Sequence, residues 1–110
     1  VTTEPPRDNG GTGACFSPTD LVGAALAACA LTTLALAARR EGLPWGEASG
    51  QVEKIMASSP RRIGALPLRL ELPAGFPPEH RARYEELART CPVALSLHPG
   101  LKVELTFRWR

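Results

Sequence analysis

This 110-residue sequence contains few of the residues that most often form catalytic or metal-binding sites. It contains three cysteines and two histidines, and its net charge is only +2. So small a charge gives no reason to expect a nucleic-acid or membrane partner. His80 and His98 have no second ligand at a metal-site spacing, and the glycines at positions 10, 11 and 13 follow no predicted strand. We therefore expect no metal, no cofactor and no nucleotide-binding loop.

Cysteine usage also argues against a secreted protein. Three cysteines do not form a disulfide framework, and no charged segment with an apolar core precedes the first predicted element. Both features favour a cytoplasmic protein, in which thiols stay reduced. The length predicts a single domain over residues 1–110. Residues 1–16 are dense in glycine and proline and are expected to form a loop or arm.

The most distinctive stretch runs from Ser17 to Gly42 and predicts one helix over Pro18–Glu41. Ser17 is a good N-cap, Pro18 suits the first helical position, and Asp20 stands where a capping-box acid would. The apolar residues cover every side of this helix, so it should be buried in a core, at a subunit contact or in lipid. Its many small residues favour close contact with another backbone, and a homodimer is the simplest way to cover it.

The rest of the chain predicts shorter elements. Strands are expected over residues 51–58, 63–72 and 101–109, because apolar and polar residues alternate there. An amphipathic helix is expected over residues 78–89 and a short helix over residues 92–97, both opened by proline. The predicted fold class is α+β, with the long central helix packed on the apolar face of an antiparallel sheet.

Two of the cysteines occupy contrasting positions. Cys91 directly precedes the short helix opened by Pro92, where unpaired N–H groups and the helix dipole favour a thiolate. Cys29 lies in the middle of the apolar helix and should be an inert thiol with a raised pKa, unless a polar cleft opens onto it. Their spacing in the sequence does not indicate whether the two cysteines are in contact. An open alternative to a reactive role is that both only fill space in the hydrophobic core.

Two separated motifs together resemble the osmotically inducible protein C and organic hydroperoxide resistance family. The first, SPTDLVGAALAACALTTLALAARREGL, carries Pro18, an acid-containing turn and Cys29, and the second, CPVALSL, begins with Cys91. The resemblance covers essentially the whole chain from Gly10 onward. It implies an intertwined α+β homodimer with two long central helices wrapped by antiparallel sheets and active sites at the subunit interface.

The resemblance also implies a function, namely a thiol-dependent peroxidase (peroxiredoxin activity) that reduces organic hydroperoxides in oxidative stress defence. Cys29 would be the peroxidatic thiol, and Cys91 would resolve its sulfenic acid as a disulfide. An external dithiol, of the lipoyl type in better-known members, would reduce that disulfide. The alternatives are a non-catalytic dimer that binds a small apolar molecule in the interfacial cavity and a structural protein with core cysteines.

The sequence departs from the family pattern at its N-terminal end. Peroxidase members activate the thiolate with an upstream arginine, held by a glutamate that directly follows the helix-opening proline. Here Thr19 takes that position and Asp20 comes one residue later, as a candidate supporting acid. Arg7 is the only upstream arginine, and its position does not match. The family's N-terminal strands are missing or shortened, and Cys15 has no family counterpart.

Overall fold

The long helix α1 covers Pro18–Glu41, the range predicted from the sequence. The structure is a computed structural model that describes residues 1–110. The Ser17 hydroxyl accepts the Asp20 N–H at 3.2 Å, and the Asp20 carboxylate accepts the Ser17 N–H at 2.9 Å. At the other end Gly42 adopts a left-handed conformation with φ 68°, which a glycine reaches without steric cost. Local sequence therefore encodes both ends of α1.

The sheet is built around its longest strand, β3 (Arg62–Leu72). The predicted strand over residues 51–58 is instead two short strands, β1 (Ser49–Val52) and β2 (Ile55–Ala57), and both pair antiparallel with β3. After β3 come the helices α2 (Pro78–Arg89) and α3 (Pro92–Ser96), followed by the last strand β4 (Lys102–Trp109). The predicted α+β class is confirmed.

The direction of β4 differs from the predicted antiparallel sheet. β4 pairs parallel with β3, so that Leu66 lies opposite Val103 and Leu72 lies opposite Trp109. The reason is the connection, since the chain crosses through α2 and α3 before it returns to the sheet. A crossover of this kind brings the next strand back in the same direction. Alternation located β4 and its inward face correctly, but alternation carries no information on strand direction.

One stripe of α1 and the inner face of β3 form the core. The fully buried leucines of β3 are Leu66, Leu68, Leu70 and Leu72. The side of α1 that faces the core carries a row of buried residues spaced three or four apart, namely Gly23, Leu26, Ala30, Leu34 and Ala38. This spacing is that of one helix face. The layer of helices thus covers one side of the sheet.

The opposite stripe of α1 is in solvent in the single chain. Its members, again spaced three or four apart, are Ala25, Ala28, Thr32 and Leu36, and we call this row the exposed stripe. Burial of α1 on all sides, expected from its composition, is therefore not reached within one chain. By length and composition α1 could cross a membrane, but its packing on the sheet is compatible with a soluble protein. The exposed stripe is apolar except for Thr32.

Residues 1–16 form a folded arm before α1. It contains one short 3-10 turn, Arg7–Asn9, and no strand. The carboxylate of Glu4 accepts the backbone N–H of Thr12 and the backbone N–H of Cys15, each at 2.7 Å. These hydrogen bonds lower the pKa of Glu4, with the Thr12 N–H as the largest cause. The arm is thus held by this carboxylate and by backbone hydrogen bonds such as that from the Gly11 N–H to the Pro6 carbonyl at 2.9 Å, and it has no buried core.

Candidate functional site

Cys29 and Cys91 come together where α1 meets α3. Cys91 is the N-cap residue of α3 and belongs to the buried core cluster, against which Cys29 packs. The backbone N–H of Val93, in the first turn of α3, donates to Cys29 Sγ at 3.5 Å. Two thiols that are distant in the sequence are therefore neighbours in the fold. Neither forms a disulfide, so both are free thiols.

The two thiols differ in their access to solvent. Cys91 is fully buried, whereas Cys29 is half-buried and lies beside the exposed stripe of α1. Burial is the largest cause that raises the pKa of the Cys91 thiol, and the neighbouring Cys29 raises it further. The N–H groups of Ala94 and Val93 act in the opposite direction but are outweighed. The expectation that Cys91 would be a readily ionised thiol is wrong, because it considered the helix end and not the burial.

No cationic side chain contacts either thiol. Cys29 Sγ accepts from the Val93 N–H and lies against the Cys91 thiol, and no lysine, arginine or histidine forms a hydrogen bond to either sulfur. Arg7 stays in the arm, where its guanidinium lies against Gly13. Cys15 is exposed in the same arm and is not part of the thiol pair. The chain on its own therefore supplies no positive charge to stabilise a Cys29 thiolate.

Asp20 is engaged at the start of α1 and not at the thiols. Its Oδ1 lies 3.0 Å from Lys54 Nζ, which also donates to Ser17 Oγ at 3.0 Å. The backbone N–H of Ser17 is the largest cause that lowers the pKa of Asp20, followed by Lys54. Cys29 lies nine positions after Asp20 on the helix, about 14 Å farther along its axis. The structure thus gives Asp20 a capping role, and it is not in reach of the sulfur.

We expect Asp20→Asn to lower the free energy of unfolding by about 1 kcal/mol at pH 7, since it removes the charge that pairs with Lys54 and leaves a neutral, weaker acceptor for the Ser17 N–H. The lowered pKa of Asp20 means that its stabilisation is present above the ordinary aspartate value of 3.8 and is lost as the pH falls below it. Urea unfolding at pH 7 and pH 3 would show a smaller acid loss in the variant.

Asp8→Asn is the matched control for this comparison. Asp8 is an exposed aspartate whose carboxylate lies 3.6 Å from Arg61. An exposed ion pair of this kind contributes little, so we expect a change below about 0.5 kcal/mol. Equal losses in the two variants would contradict a special role for Asp20 at the start of α1.

Two contributors to these sites were not predicted from the sequence. Val93 acts through its backbone N–H, which no side-chain pattern reveals. Lys54 is one of only two lysines in a chain that otherwise uses arginine, and this rarity was the one available signal. No group of three or more His, Cys, Asp or Glu side chains comes together that could hold a metal ion.

Comparison with known proteins gives the same family as the two cysteine motifs. The family described as OsmC-like protein matches residues 11–106. An osmotic stress induced and detoxification response protein from Psychrobacter arcticus is 33% identical, with a TM-score of 0.88 over 96% of this chain and 77% of that one. No curated protein sequence matches the chain.

Two further structures are more distant in sequence. An organic hydroperoxide resistance protein OsmC from Legionella pneumophila is 21% identical, with a TM-score of 0.68 over 94% of this chain and 77% of its own. An organic hydroperoxide resistance protein from Vibrio cholerae, with captopril bound in one of its active sites, is 18% identical, with a TM-score of 0.76 over 94% of this chain and 72% of its own. These two support the fold, and the family match spans nearly the whole chain. The chain therefore belongs to the OsmC-like family.

Proposed function

We propose that this protein is a cytoplasmic, homodimeric thiol peroxidase that reduces organic hydroperoxides in the response to oxidative stress. The observation that carries the proposal is the placement of Cys29 beside Cys91 at the first turn of α3. Structures with the same fold include proteins named for organic hydroperoxide resistance. A pair of neighbouring free thiols, one reachable and one buried, suits a peroxidase that closes a disulfide in each cycle.

The first step is assigned to Cys29, because it is the thiol with access to solvent. Its thiolate attacks the terminal oxygen of the hydroperoxide, the O–O bond breaks, and the alkoxide leaves and takes up a proton as the alcohol. Cys29 is then a sulfenic acid, oxidised by two electrons. The Val93 N–H donates to this sulfur at 3.5 Å. The apolar surface of α1 next to Cys29 favours organic hydroperoxides over hydrogen peroxide.

The second step is assigned to Cys91, which is protected from solvent and from peroxide. Its sulfur attacks the sulfenic sulfur of Cys29, the S–O bond breaks, and the hydroxyl group leaves as water with the Cys91 proton. The product is a Cys29–Cys91 disulfide. An external dithiol of the lipoyl type then supplies two electrons and two protons by thiol–disulfide exchange, which restores both thiols. Burial raises the pKa of the Cys91 thiol.

The exposed stripe of α1 supports the homodimer in this proposal. Its alanines allow two helix backbones to come close, and a two-fold axis would bury the stripe of each chain against the other. Cys29 lies at the border of this stripe, so a second copy would lie beside the thiol and close a cleft over it. The partner would also exclude water there, which strengthens electrostatic effects on the sulfur.

A second candidate function is a non-catalytic dimer that binds a small apolar molecule. Two observations favour it. No cation contacts the thiol pair, and Asp20 is already paired with Lys54. In addition, an open cavity of about 510 Å³ lies beside the exposed stripe. Its lining is mostly apolar and consists of Thr32, Ala35, Leu36, Arg39, Leu43 and Trp45.

Titration with cumene hydroperoxide, followed by mass mapping of the disulfides, separates the two functions. The peroxidase predicts that one equivalent per chain consumes two thiols and gives a Cys29–Cys91 link. If the protein only binds a ligand, both thiols should be oxidised by the hydroperoxide no faster than a free thiol in solution. A link through Cys15 would contradict the assignment of the pair, since Cys15 is exposed and lies in the arm.

A further inference from the structure

A second groove lies between α3 and β4 and involves no residue of α1. Its volume is about 270 Å³, close to the lower end of small-molecule pockets. The floor is apolar and consists of Leu101, directly before β4, and of Val103 and Leu105 on β4. Ala94 and Leu97, on and just after α3, form the wall. The groove is thus separate from the exposed stripe of α1 and from the cavity beside it.

The helices cover the inward-facing side chains of β4 only in part. Trp109 donates to Glu85 of α2, and the Arg89 guanidinium lies over Phe107 at 5.1 Å. Even so, all four inward-facing side chains of β4 are only half-buried, Val103 and Leu105 among them. Their neighbours in register on β3, Leu66 and Leu68, are fully buried. Apolar surface on the inner face of the sheet is therefore left uncovered at the groove.

The mouth of the groove is lined by an arginine and a histidine, and the two carboxylates that pair with the arginine lie outside the lining. Arg89 and His98 line it, and no aspartate or glutamate does. Arg89 has ion-pair contacts to Glu85 at 3.9 Å and Glu86 at 3.6 Å. These distances exceed a hydrogen bond, so the guanidinium keeps N–H groups free for another acceptor. Its place over Phe107 holds it at the end of the apolar floor.

His98 adds a second donor at the mouth. Its Nδ1 accepts the backbone N–H of Gly100 at 2.8 Å. A neutral imidazole whose Nδ1 is an acceptor carries its proton on Nε2, so Nε2–H is the donor left to a ligand. His98 and Leu101 also line a neighbouring open cavity with Arg62, which extends the groove past the loop before β4. An apolar floor that ends at an arginine and a histidine matches an apolar chain that ends in an acid.

We propose that this groove binds a medium-chain aliphatic carboxylate, with the chain on the β4 floor and the carboxylate at Arg89 and His98. The ligand class follows from the shape and charge of the groove and is independent of the thiol chemistry. The affinity should rise about twofold to fourfold with each added CH₂ until the floor is filled. A carboxylate should bind about tenfold more tightly than the alcohol of the same length, because the guanidinium adds charge-assisted hydrogen bonds.

The experiment is a titration of the methyl-labelled full chain with butanoate, hexanoate, octanoate and octan-1-ol below their micelle concentrations. We expect saturable changes in the methyl chemical shifts of Leu97, Val103 and Leu105. Octanoate should bind most tightly, followed by hexanoate and then butanoate. Shifts that centre on Leu36, in the exposed stripe, would overturn the proposal. So would octan-1-ol binding as tightly as octanoate.

Two variants that each remove one positive charge, and one that keeps it, complete the test. Arg89→Gln should weaken octanoate about tenfold and leave octan-1-ol unchanged, whereas Arg89→Lys, which keeps the charge, should recover part of the loss. Arg108→Gln is the matched control, because Arg108 is an exposed arginine of β4 whose guanidinium pairs with Glu71 and which does not line the groove. Equal weakening by Arg89→Gln and Arg108→Gln would contradict a specific carboxylate site.

Discussion

Cys29→Ser is expected to lower the rate of cumene hydroperoxide reduction at least about a hundredfold, with a dithiol such as dihydrolipoamide in excess. A serine hydroxyl is not ionised near neutral pH and does not attack a peroxide bond, so the first step is lost rather than slowed. The substitution is nearly isosteric, and Cys29 is half-buried, so the fold should persist. The measurement is the dithiol-dependent loss of peroxide at pH 7.

The other two cysteines supply the controls. Cys91→Ser should consume one equivalent of peroxide per chain and then stop, with a sulfenic acid on Cys29 that a dimedone-type reagent traps. Cys15→Ser should keep the full rate, because Cys15 lies exposed in the arm, apart from the thiol pair. If Cys29→Ser kept the parent rate, the peroxidase mechanism would be wrong, and the apolar-ligand function would be the one to pursue.

Much of the local structure could be predicted because the sequence encodes it locally. The ends of α1 depend on Ser17, Asp20 and Gly42, whose caps form between residues three or four positions apart. The inward faces of β3 and β4 follow from strict alternation, and the leucines of β3 are fully buried as predicted. The range of α2, Pro78–Arg89, also agrees with its amphipathic pattern and opening proline.

The features that escaped prediction depend on distant parts of the chain. The parallel direction of β4 follows from the path through α2 and α3, which no strand pattern contains. The raised pKa of Cys91 follows from its burial in the core, whereas its sequence context displays only a helix start. The Val93 N–H reaches Cys29 across the meeting of α1 and α3. In each case a tertiary contact decided the outcome, and only at Cys91 did it outweigh a local signal.

The exposed stripe leads to the second prediction with a large effect. Leu36→Glu should weaken the proposed dimer at least about a hundredfold, because the two-fold axis would place two unpaired carboxylates in the buried contact. Leu36 is an exposed large hydrophobic in the single chain, so the change should cost the fold of one chain little. Sedimentation over a range of protein concentrations measures the dissociation constant of the dimer.

Thr106→Glu is the control, because it adds the same charge at an exposed position of β4, away from α1. It should leave the dissociation constant of the dimer unchanged. Equal weakening by the two variants would mean that the added charge, and not its position on the exposed stripe, weakens the dimer.

Activity then tests the link between assembly and chemistry. If a second copy closes the cleft beside Cys29, the peroxidase rate per chain should fall with the dimer fraction, while the Val93 hydrogen bond inside one chain persists. A monomeric Leu36→Glu protein with the full rate would place the whole active site within one chain, and the exposed stripe would then serve assembly without serving catalysis.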